Sequence, residues 1–259
     1  MEQDEVAWIT KIEPRKNYLI RKSVNLSKEA HIIASNIDVA CFIFTLKHPE
    51  TSLGFLDRFL ACCEAYNIKP LILFNKMDML NEDEKDFVAS FRALYEHIGY
   101  ETLEISSYSK MNLELLTQTI KDKVSVFFGH SGSGKSTLVN AMQPDLNIKT
   151  SEISVSQLKG KHTTTFAQIA FLGFRWQCKF EIHPEVREFA MIDGSERMKF
   201  SIISLKYSEY GRDCKFHNCM HLNEPKCAVL ANIETGEIEE TRYLTYLKLM
   251  EEAEENSAL

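Results

Sequence analysis

The sequence has no long hydrophobic run and no visible export signal. Its longest apolar run, from Val39 to Leu46 with one threonine, is far shorter than the roughly 20 residues that cross a bilayer. The N-terminal residues 1–5 are acidic and no apolar stretch follows them, unlike a secretory signal. We therefore expect a cytoplasmic protein that does not act in or on a membrane.

The chain also lacks an excess of positive charge. Its net charge of -7 and pI near 5.7 argue against a protein that coats nucleic acid indiscriminately. Residues 11–22 are a local exception, with five basic side chains against one acid. Together with Tyr18 they form either a surface for RNA phosphates and a stacked base, or a solvated strand edge whose lysines discourage aggregation. The sequence leaves both interpretations open.

The cysteine pattern does not suggest a disulfide framework, and it indicates a metal site. Seven cysteines are an odd number, in a chain without an export signal. Four are scattered in apolar surroundings and are most simply small buried side chains: Cys41, Cys62, Cys63 and Cys178.

The other three cysteines cluster with a histidine in the pattern C-x4-C-x-H-x5-C. They are Cys214, Cys219 and Cys227, with His221. Three thiolates and one imidazole can fill all four positions of a tetrahedral zinc ion, which is typical of a structural site. Such a site stabilises a small domain in place of a hydrophobic core. His217 is a competing ligand by proximity and is ranked second. Beyond the cluster, residues 239–254 are predicted to form an amphipathic helix.

A phosphate-binding loop is predicted at residues 129–136, which fit G-x-x-x-x-G-K-[ST]. The β-forming run 124–128 precedes it and a helical segment follows, which is the context that this motif needs. Backbone N–H groups and the helix N-terminus would surround phosphate oxygens, Lys135 would reach the β- and γ-phosphates, and Ser136 would coordinate Mg2+. The nucleotide-binding residues predicted here are Gly129, His130, Ser131, Gly132, Ser133, Gly134, Lys135, Ser136 and Thr137.

A second motif, N-K-x-D, follows the predicted strand 70–74. The carboxyl end of a strand is where α/β sheets place ligands. The Asp78 carboxylate can accept hydrogen bonds from the N1–H and 2-amino groups of guanine, whereas adenine would leave it unpaired. Asn75 would address the other edge of the base, and the Lys76 stem would lie over its face.

The region from residue 35 to the phosphate loop predicts alternating strands and helices. Strands are expected at 38–46, 70–74 and 102–105, and helices at 52–66, 81–99 and 112–123. Ser106 and Ser107 end the third strand, where a guanine-binding domain often has a Ser-Ala pair whose backbone contacts the base. The base-reading motif therefore precedes the phosphate motif, the reverse of the order in ordinary GTPases.

With these motifs in this order, the chain resembles the ribosome-small-subunit-dependent GTPase A family. The segments that carry the likeness are RKNYLIRKSVNLSKEAHIIASNID, TSLGFLDRFL, NKMD, GHSGSGKST and GKHTTT. The resemblance covers nearly the whole chain and implies an α/β fold with a circularly permuted P-loop GTPase domain at 25–205. An N-terminal remnant of an OB-fold barrel is then expected at 1–24, and a zinc-binding helical domain at 206–259.

The resemblance also implies the chemistry and the partners. GTP and GDP are the expected ligands, with Mg2+ accompanying GTP and one structural Zn2+. Thr164 would be the switch threonine that, with Ser136, holds the Mg2+, and catalysis would depend on Lys135, Ser136 and Thr164. His162 is either a residue that positions water or a solvent-facing histidine. The expected partners are the small ribosomal subunit and its rRNA, with hydrolysis stimulated by the subunit, and the protein is expected to be a monomer.

The sequence departs from the family at two places. An OB barrel needs about five strands, whereas residues 1–24 predict only two short ones, around Val6–Ile12 and Asn17–Ile20. The barrel is therefore expected to be a remnant, whether by natural loss or by truncation. The family's D-x-x-G motif is also missing. If residues 186–189 are aligned with the similar family segment that follows the motif, Ile182 stands in place of its aspartate and Glu185 in place of its glycine. If Asp193 is taken as the aspartate, Glu196 stands in place of the glycine.

Three functions follow from these observations. The first is GTP hydrolysis in late assembly of the small ribosomal subunit. The second is a guanine-nucleotide-binding module that docks on the ribosome with little or no hydrolysis, because D-x-x-G is absent. The third is an ATP-using P-loop enzyme, which Asp78 opposes.

Overall fold

The computed structural model describes residues 10–22, 30–146, 168–171, 177–180 and 209–257. The strands described are β1 (Tyr18–Lys22), β2 (Ala30–Ser35), β3 (Val39–Phe44), β4 (Lys69–Phe74), β5 (Glu101–Glu104), β6 (Ser125–Phe128), β7 (Gln168–Phe171) and β8 (Gln177–Phe180). The helices are α1 (Leu53–Ala65), α2 (Glu82–Ile98), α3 (Leu113–Ile120), α4 (Lys135–Met142), α5 (Ala228–Glu234) and α6 (Glu240–Ser257).

Six strands form one sheet, in the order β5-β4-β3-β6-β8-β7, and only β7 runs antiparallel to its neighbour. The chain passes outward from β3 to β5 and then returns to the other side of β3 as β6. This reversal creates a switch point between β3 and β6, where open α/β sheets bind ligands at their carboxyl edge. The predicted phosphate loop begins directly after β6.

The central strand β3 is buried along its whole length, which explains its continuous apolar sequence. Its side chains alternate between two cores. Phe42 and Phe44 pack in the core formed with α1 and α2, while Cys41 and Ile43 pack in the core with α3 and α4. The sheet is therefore covered on both faces, as a parallel sheet requires.

Local capping signals place the helix boundaries. The Ser52 side chain accepts a hydrogen bond from the N–H of Phe55 at the start of α1. Asn81 and Glu84 form a reciprocal capping box at the start of α2, and Gly99 ends that helix in a left-handed conformation. The predicted helices 52–66, 81–99, 112–123 and 239–254 are confirmed within three residues at either end.

The N-terminal prediction was partly wrong. A strand was expected from Val6 to Ile12, but residues 10–12 are irregular and Ile12 is exposed; residues 6–9 lie outside the described part. Strand β1 instead pairs with β2, which was not predicted. Asn17 adds a contact beside this pairing, because its side chain donates to Ile37 O (2.8 Å) and accepts from Ile37 N–H (2.7 Å). This long-range contact has no signature in a local sequence pattern.

The C-terminal region has its own small core. Its buried members come from the cysteine cluster, from α5 and α6 and from the segment between these helices: Cys219, Cys227, Val229, Ile238, Tyr246 and Met250. Ala61 and Ala65 of α1 pack against this core. Helix α6 thus joins the C-terminal region to the sheet-containing part of the molecule. In the ranges that the structure describes, no helix has the length and apolar character needed to cross a membrane.

Candidate nucleotide site and metal centre

The phosphate loop is packed so closely that two of its glycines are required. A Cβ atom at Gly129 would lie 2.8 Å from the carbonyl oxygen of Ile43, and one at Gly134 would lie 2.5 Å from Asn75 Nδ2. Both glycines also have positive φ, at 147° and 101°. The loop therefore lies directly against the ends of β3 and β4 and leads into the N-terminus of α4.

Asn75 joins the phosphate loop to the base-reading loops. Its buried side-chain amide donates to the carbonyl oxygen of Ser133 at 2.8 Å. Its carbonyl accepts from the N–H and the hydroxyl of Ser107, at 3.1 and 3.0 Å. In the structure Asn75 cross-links three loops from within the protein, and its predicted contact with the edge of the base stays a prediction. This role depends on residues 58 and 32 positions away, which a local motif does not indicate.

Lys76 and Asp78 lie at the same edge of the sheet. Lys76 Nζ donates to Gly132 O at 2.8 Å and to the carbonyl oxygen of His48. It therefore connects the phosphate loop to the segment that follows β3. Burial lowers the pKa of Lys76, and nearby Asp78 partly opposes that shift. The Asp78 carboxylate is exposed and accepts a 2.5 Å hydrogen bond from the Ser106 hydroxyl. Ser106 therefore orients an acid that is open to a ligand.

Lys135 is the buried cation of the phosphate loop. Its Nζ donates to the carbonyl oxygens of Gly129 (2.5 Å) and His130 (2.6 Å). Burial lowers the pKa of Lys135 to about 7. A phosphate anion at this loop would favour the charged form of the lysine and oppose that shift. Ser136 is half-buried in the first turn of α4, while Ser131 and Thr137 are exposed.

His130 packs sideways against α1. Its ring centroid lies 4.4 Å from that of Phe55, with the ring planes 30° apart. Burial and the charge of Lys135 lower the pKa of His130, which favours the neutral imidazole. Motif position alone placed His130 among the phosphate-loop residues, and only the fold reveals its contact with Phe55.

The predicted switch residues lie outside the described residues. These are Thr164 and His162 in the segment 160–165, and the positions compared with D-x-x-G, which are Ile182, Glu185, Asp193 and Glu196. Thr164 as a ligand of Mg2+ stays a prediction, as does the role of Ser136 beside it.

The four predicted zinc ligands converge at one point. The ligand atoms of Cys214, Cys219, His221 and Cys227 all lie within 4.8 Å of one another. His221 Nδ1 is 3.6 Å from Cys214 Sγ and 3.3 Å from Cys227 Sγ, and these two sulfurs are 3.9 Å apart. Tetrahedral zinc with ordinary bond lengths needs separations of about 3.6 Å for N–S and about 3.8 Å for S–S. The donor set and its spacing therefore fit one zinc ion.

Backbone groups and a tyrosine support the cluster. The N–H of Ala228 points at Cys214 Sγ (3.3 Å) and that of Leu230 at Cys227 Sγ (3.5 Å), which favours thiolates. The Tyr243 hydroxyl donates to the carbonyl oxygen of His221 at 2.8 Å. Burial raises the pKa of the Cys227 thiol, so zinc binding must release protons. His217 is exposed and is not one of the four converging residues.

Replacement of one histidine tests this metal centre. We expect the purified protein to contain about one zinc per chain, and His221→Ala to lose most of it because a ligand is removed. His217→Ala is the matched control and should keep the metal. Elemental analysis after exhaustive dialysis measures both variants. A folded wild-type protein without zinc, or equal zinc loss in the two variants, contradicts the assignment.

Comparison with known proteins agrees with this arrangement. The family model described as "RsgA GTPase" matches residues 12–174. A small ribosomal subunit biogenesis GTPase RsgA from Christiangramia forsetii is 43% identical over 254 residues, which cover 98% of this chain and 80% of that protein. The chain belongs to the RsgA GTPase family.

A second curated relative and two solved structures support the same conclusion. The protein of that name from Flavobacterium johnsoniae is 45% identical over 95% of this chain and 74% of its own length. The crystal structure of YjeQ from Thermotoga maritima matches with a TM-score of 0.70 and 30% identity, covering 94% of this chain and 77% of that one. YloQ, described as a circularly permuted GTPase, matches with a TM-score of 0.68 and 26% identity, covering 95% and 83%. The predicted permuted α/β fold is confirmed.

Proposed function

We propose that this protein is a GTPase that acts in late assembly of the small ribosomal subunit, and that the subunit stimulates its hydrolysis of GTP. The observation that carries the proposal is the single site formed by two distant motifs. Asn75 bonds to the phosphate loop and to Ser107, and this places Asp78 and Lys135 at one edge of the sheet. The names of the RsgA relatives supply the ribosomal context.

Each side chain of the site has a distinct task in this proposal. Asp78, oriented by Ser106, accepts hydrogen bonds from guanine, while Lys76 supports the phosphate loop. Lys135 and the N-terminus of α4 bind the phosphates and stabilise the charge that develops during transfer. The backbone of Ser106 and Ser107 lies beside the base, and the nine residues 129–137 bind the phosphates.

The GTPase family implies Mg2+ with GTP, and the residues present fit it. The Ser136 hydroxyl stands in the first turn of α4, as this ion requires, and Thr164 is proposed as the second ligand. When bound, Mg2+ supplies positive charge beside the phosphates. We also propose that the division into segments 1–24, 25–205 and 206–259 holds, and that the protein works as a cytoplasmic monomer.

The alternative function is a guanine-nucleotide-binding module that docks on the ribosome. A specific observation favours it, because neither Ile182 and Glu185 nor Asp193 and Glu196 restore a D-x-x-G motif. The motif normally supplies an acid to the Mg2+ shell and a glycine N–H to the γ-phosphate. Both functions require binding of guanine nucleotide and the ribosome, but only the first includes efficient hydrolysis of GTP.

A hydrolysis assay with purified ribosomal subunits separates the two functions. We expect small subunits to raise the rate of GTP hydrolysis at least about tenfold, equivalent to about 1.4 kcal/mol in the barrier, and large subunits to have no such effect. Lys135→Ala is the control, since it removes the cation that faces the phosphates. Intact GTP binding without stimulation by the small subunit contradicts the GTPase proposal and supports the module.

A further inference from the structure

The loop that follows β5 carries an exposed tyrosine. Tyr108 has 87% of its surface exposed, and among the described residues no large apolar side chain is more exposed. It is also the only aromatic residue in the two base-reading loops, which are residues 75–79 and 106–111. Packing within the fold therefore does not explain this ring, and its position beside the nucleotide site directs attention to a ligand.

The backbone beside Tyr108 is fixed to the acid that is proposed to read the base. The N–H of Ser109 donates to the hydroxyl of Ser106 at 2.9 Å, and this hydroxyl donates to the Asp78 carboxylate. The N–H of Ser106 also donates to the carbonyl oxygen of Met111 at 3.2 Å, which closes the loop. Tyr108 therefore stands on a preformed loop that hydrogen bonds hold next to Asp78.

The same loop borders the phosphate loop. A Cβ atom at Gly134 would lie 3.8 Å from Oγ of Ser107, the residue before Tyr108. The Asn75 side chain bonds to both loops. A nucleotide with its base at Asp78 and its phosphates in the phosphate loop would therefore lie beside this tyrosine.

Lys76 accounts for one face of the base and leaves the other to be covered. Its Nζ donates to the carbonyl oxygens of Gly132 and His48, which extends the side chain between two loops. The stem can cover one face of a base whose edge bonds to Asp78. An aromatic ring suits the second face, because it buries a large flat surface while only two side-chain torsions become fixed.

We propose that the Tyr108 ring stacks on the face of the guanine base opposite the Lys76 stem and strengthens nucleotide binding without reading the edge of the base. Stacking tolerates different bases because every base has a π-face. Tyr108 thus supplies affinity, whereas Asp78 supplies selectivity. This inference rests on the proposed function and deepens it, since it adds to the guanine site a side chain that neither nucleotide-binding motif contains.

Nucleotide titrations of the full-length protein and its Tyr108 variants test this division of roles. We expect Tyr108→Ala to weaken binding of GTP and of GDP about tenfold each, and Tyr108→Phe to bind like wild type because it keeps the ring. Inosine triphosphate lacks the 2-amino group of guanine and should lose affinity by the same factor, so that the ratio of the GTP and inosine triphosphate affinities is unchanged. Phe87→Ala, at an exposed phenylalanine of α2 (52% exposed), is the matched control and should bind like wild type.

Two further readouts separate stacking from a structural role. Tripolyphosphate has no base and should bind Tyr108→Ala as it binds wild type, since the phosphate loop is untouched. In Tyr108→Trp, added GTP should quench tryptophan emission beyond any change in the wild-type protein, whose Trp8 and Trp176 give the background.

Three results overturn the inference in different ways. If Tyr108→Ala binds GTP and GDP like wild type, the ring does not contact the base and the proposed function stands. If the variant loses more affinity for GTP than for inosine triphosphate, or loses tripolyphosphate binding, the ring acts by holding the loops in place. If the wild-type protein does not bind guanine nucleotides, the proposed function fails together with this inference.

Discussion

Asp78→Asn should lower the affinity for GTP at least about a hundredfold while leaving the fold intact. Two hydrogen bonds between a carboxylate and guanine contribute about 1.5–3 kcal/mol each, and 1.4 kcal/mol corresponds to a factor of ten. The amide that replaces the carboxylate presents N–H groups to the N–H groups of guanine. Because Asp78 is exposed at the edge of the sheet, its neutral isostere should be tolerated structurally.

The same substitution should create a new preference. Xanthine carries a carbonyl at C2 where guanine has an amino group, so it can accept a hydrogen bond from the amide of Asp78→Asn. We therefore expect xanthosine triphosphate to bind the variant better than GTP does, as measured by isothermal titration. Asp83→Asn, at an exposed acid in the first turn of α2, is the control and should leave both affinities unchanged. Unaltered GTP affinity in Asp78→Asn would refute the assignment of this carboxylate to the base.

The second large effect concerns the contact between α6 and the rest of the molecule. Arg242 is buried and lies 3.5 Å from Asp57 Oδ1, with its guanidinium 5.5 Å from the ring of Tyr100. Asp57 also accepts hydrogen bonds from Tyr95 (3.0 Å) and Thr245 (3.5 Å). This network joins α1, α2 and α6, and its members lie up to 188 positions apart in the sequence.

Arg242→Met should lower the free energy of unfolding by about 3–5 kcal/mol, because it leaves the Asp57 charge buried without its cation. Urea denaturation at pH 7.5 measures the loss. Lys248→Met, at an exposed position of the same helix, is the control and should cost little. Adding Asp57→Asn to Arg242→Met should recover part of the loss, since the Asp57 charge is then no longer left unpaired. The recovery should stay partial because Glu64, which Arg242 also stabilises in its charged form, remains. Equal stabilities of Arg242→Met and Lys248→Met would contradict a structural role for this network.

The pH dependence of this loss has a defined sign. Burial raises the pKa of Asp57 and outweighs the opposing effect of Arg242. Without Arg242 the carboxyl should take up a proton still more readily. The destabilisation should therefore shrink as the pH falls, because a protonated Asp57 no longer needs a cation.

The sequence predicted the parts of this molecule that depend on neighbouring residues. The order of Asn75–Asp78 before residues 129–136 indicated a permuted GTPase fold, which the comparisons confirm. Ser52 and Asn81 located two helix starts because capping is a local interaction. The convergence of the four zinc ligands followed from their spacing, although the metal itself and the nucleotide site residues stay predictions.

Long-range contacts could not be predicted in this way. The Asn75 amide bonds to Ser133, and Thr245 bonds to Asp57 across 188 positions. Strand β2, which was not predicted, pairs with β1, and Asn17 bonds to Ile37 just beyond its end. In each of these contacts a single side chain bonds to a backbone group or an acid that is distant in the sequence. Neither the hydrophobic periodicity nor the motif spacing of the sequence indicates such a contact.

The most direct test of the central claim is a titration of the wild-type protein with GTP, GDP and ATP in the presence of Mg2+. If two motifs form one guanine-nucleotide site, GTP and GDP should both bind at least about a hundredfold more tightly than ATP, because adenine leaves Asp78 unpaired. Equal affinities for GTP and ATP would contradict the claim.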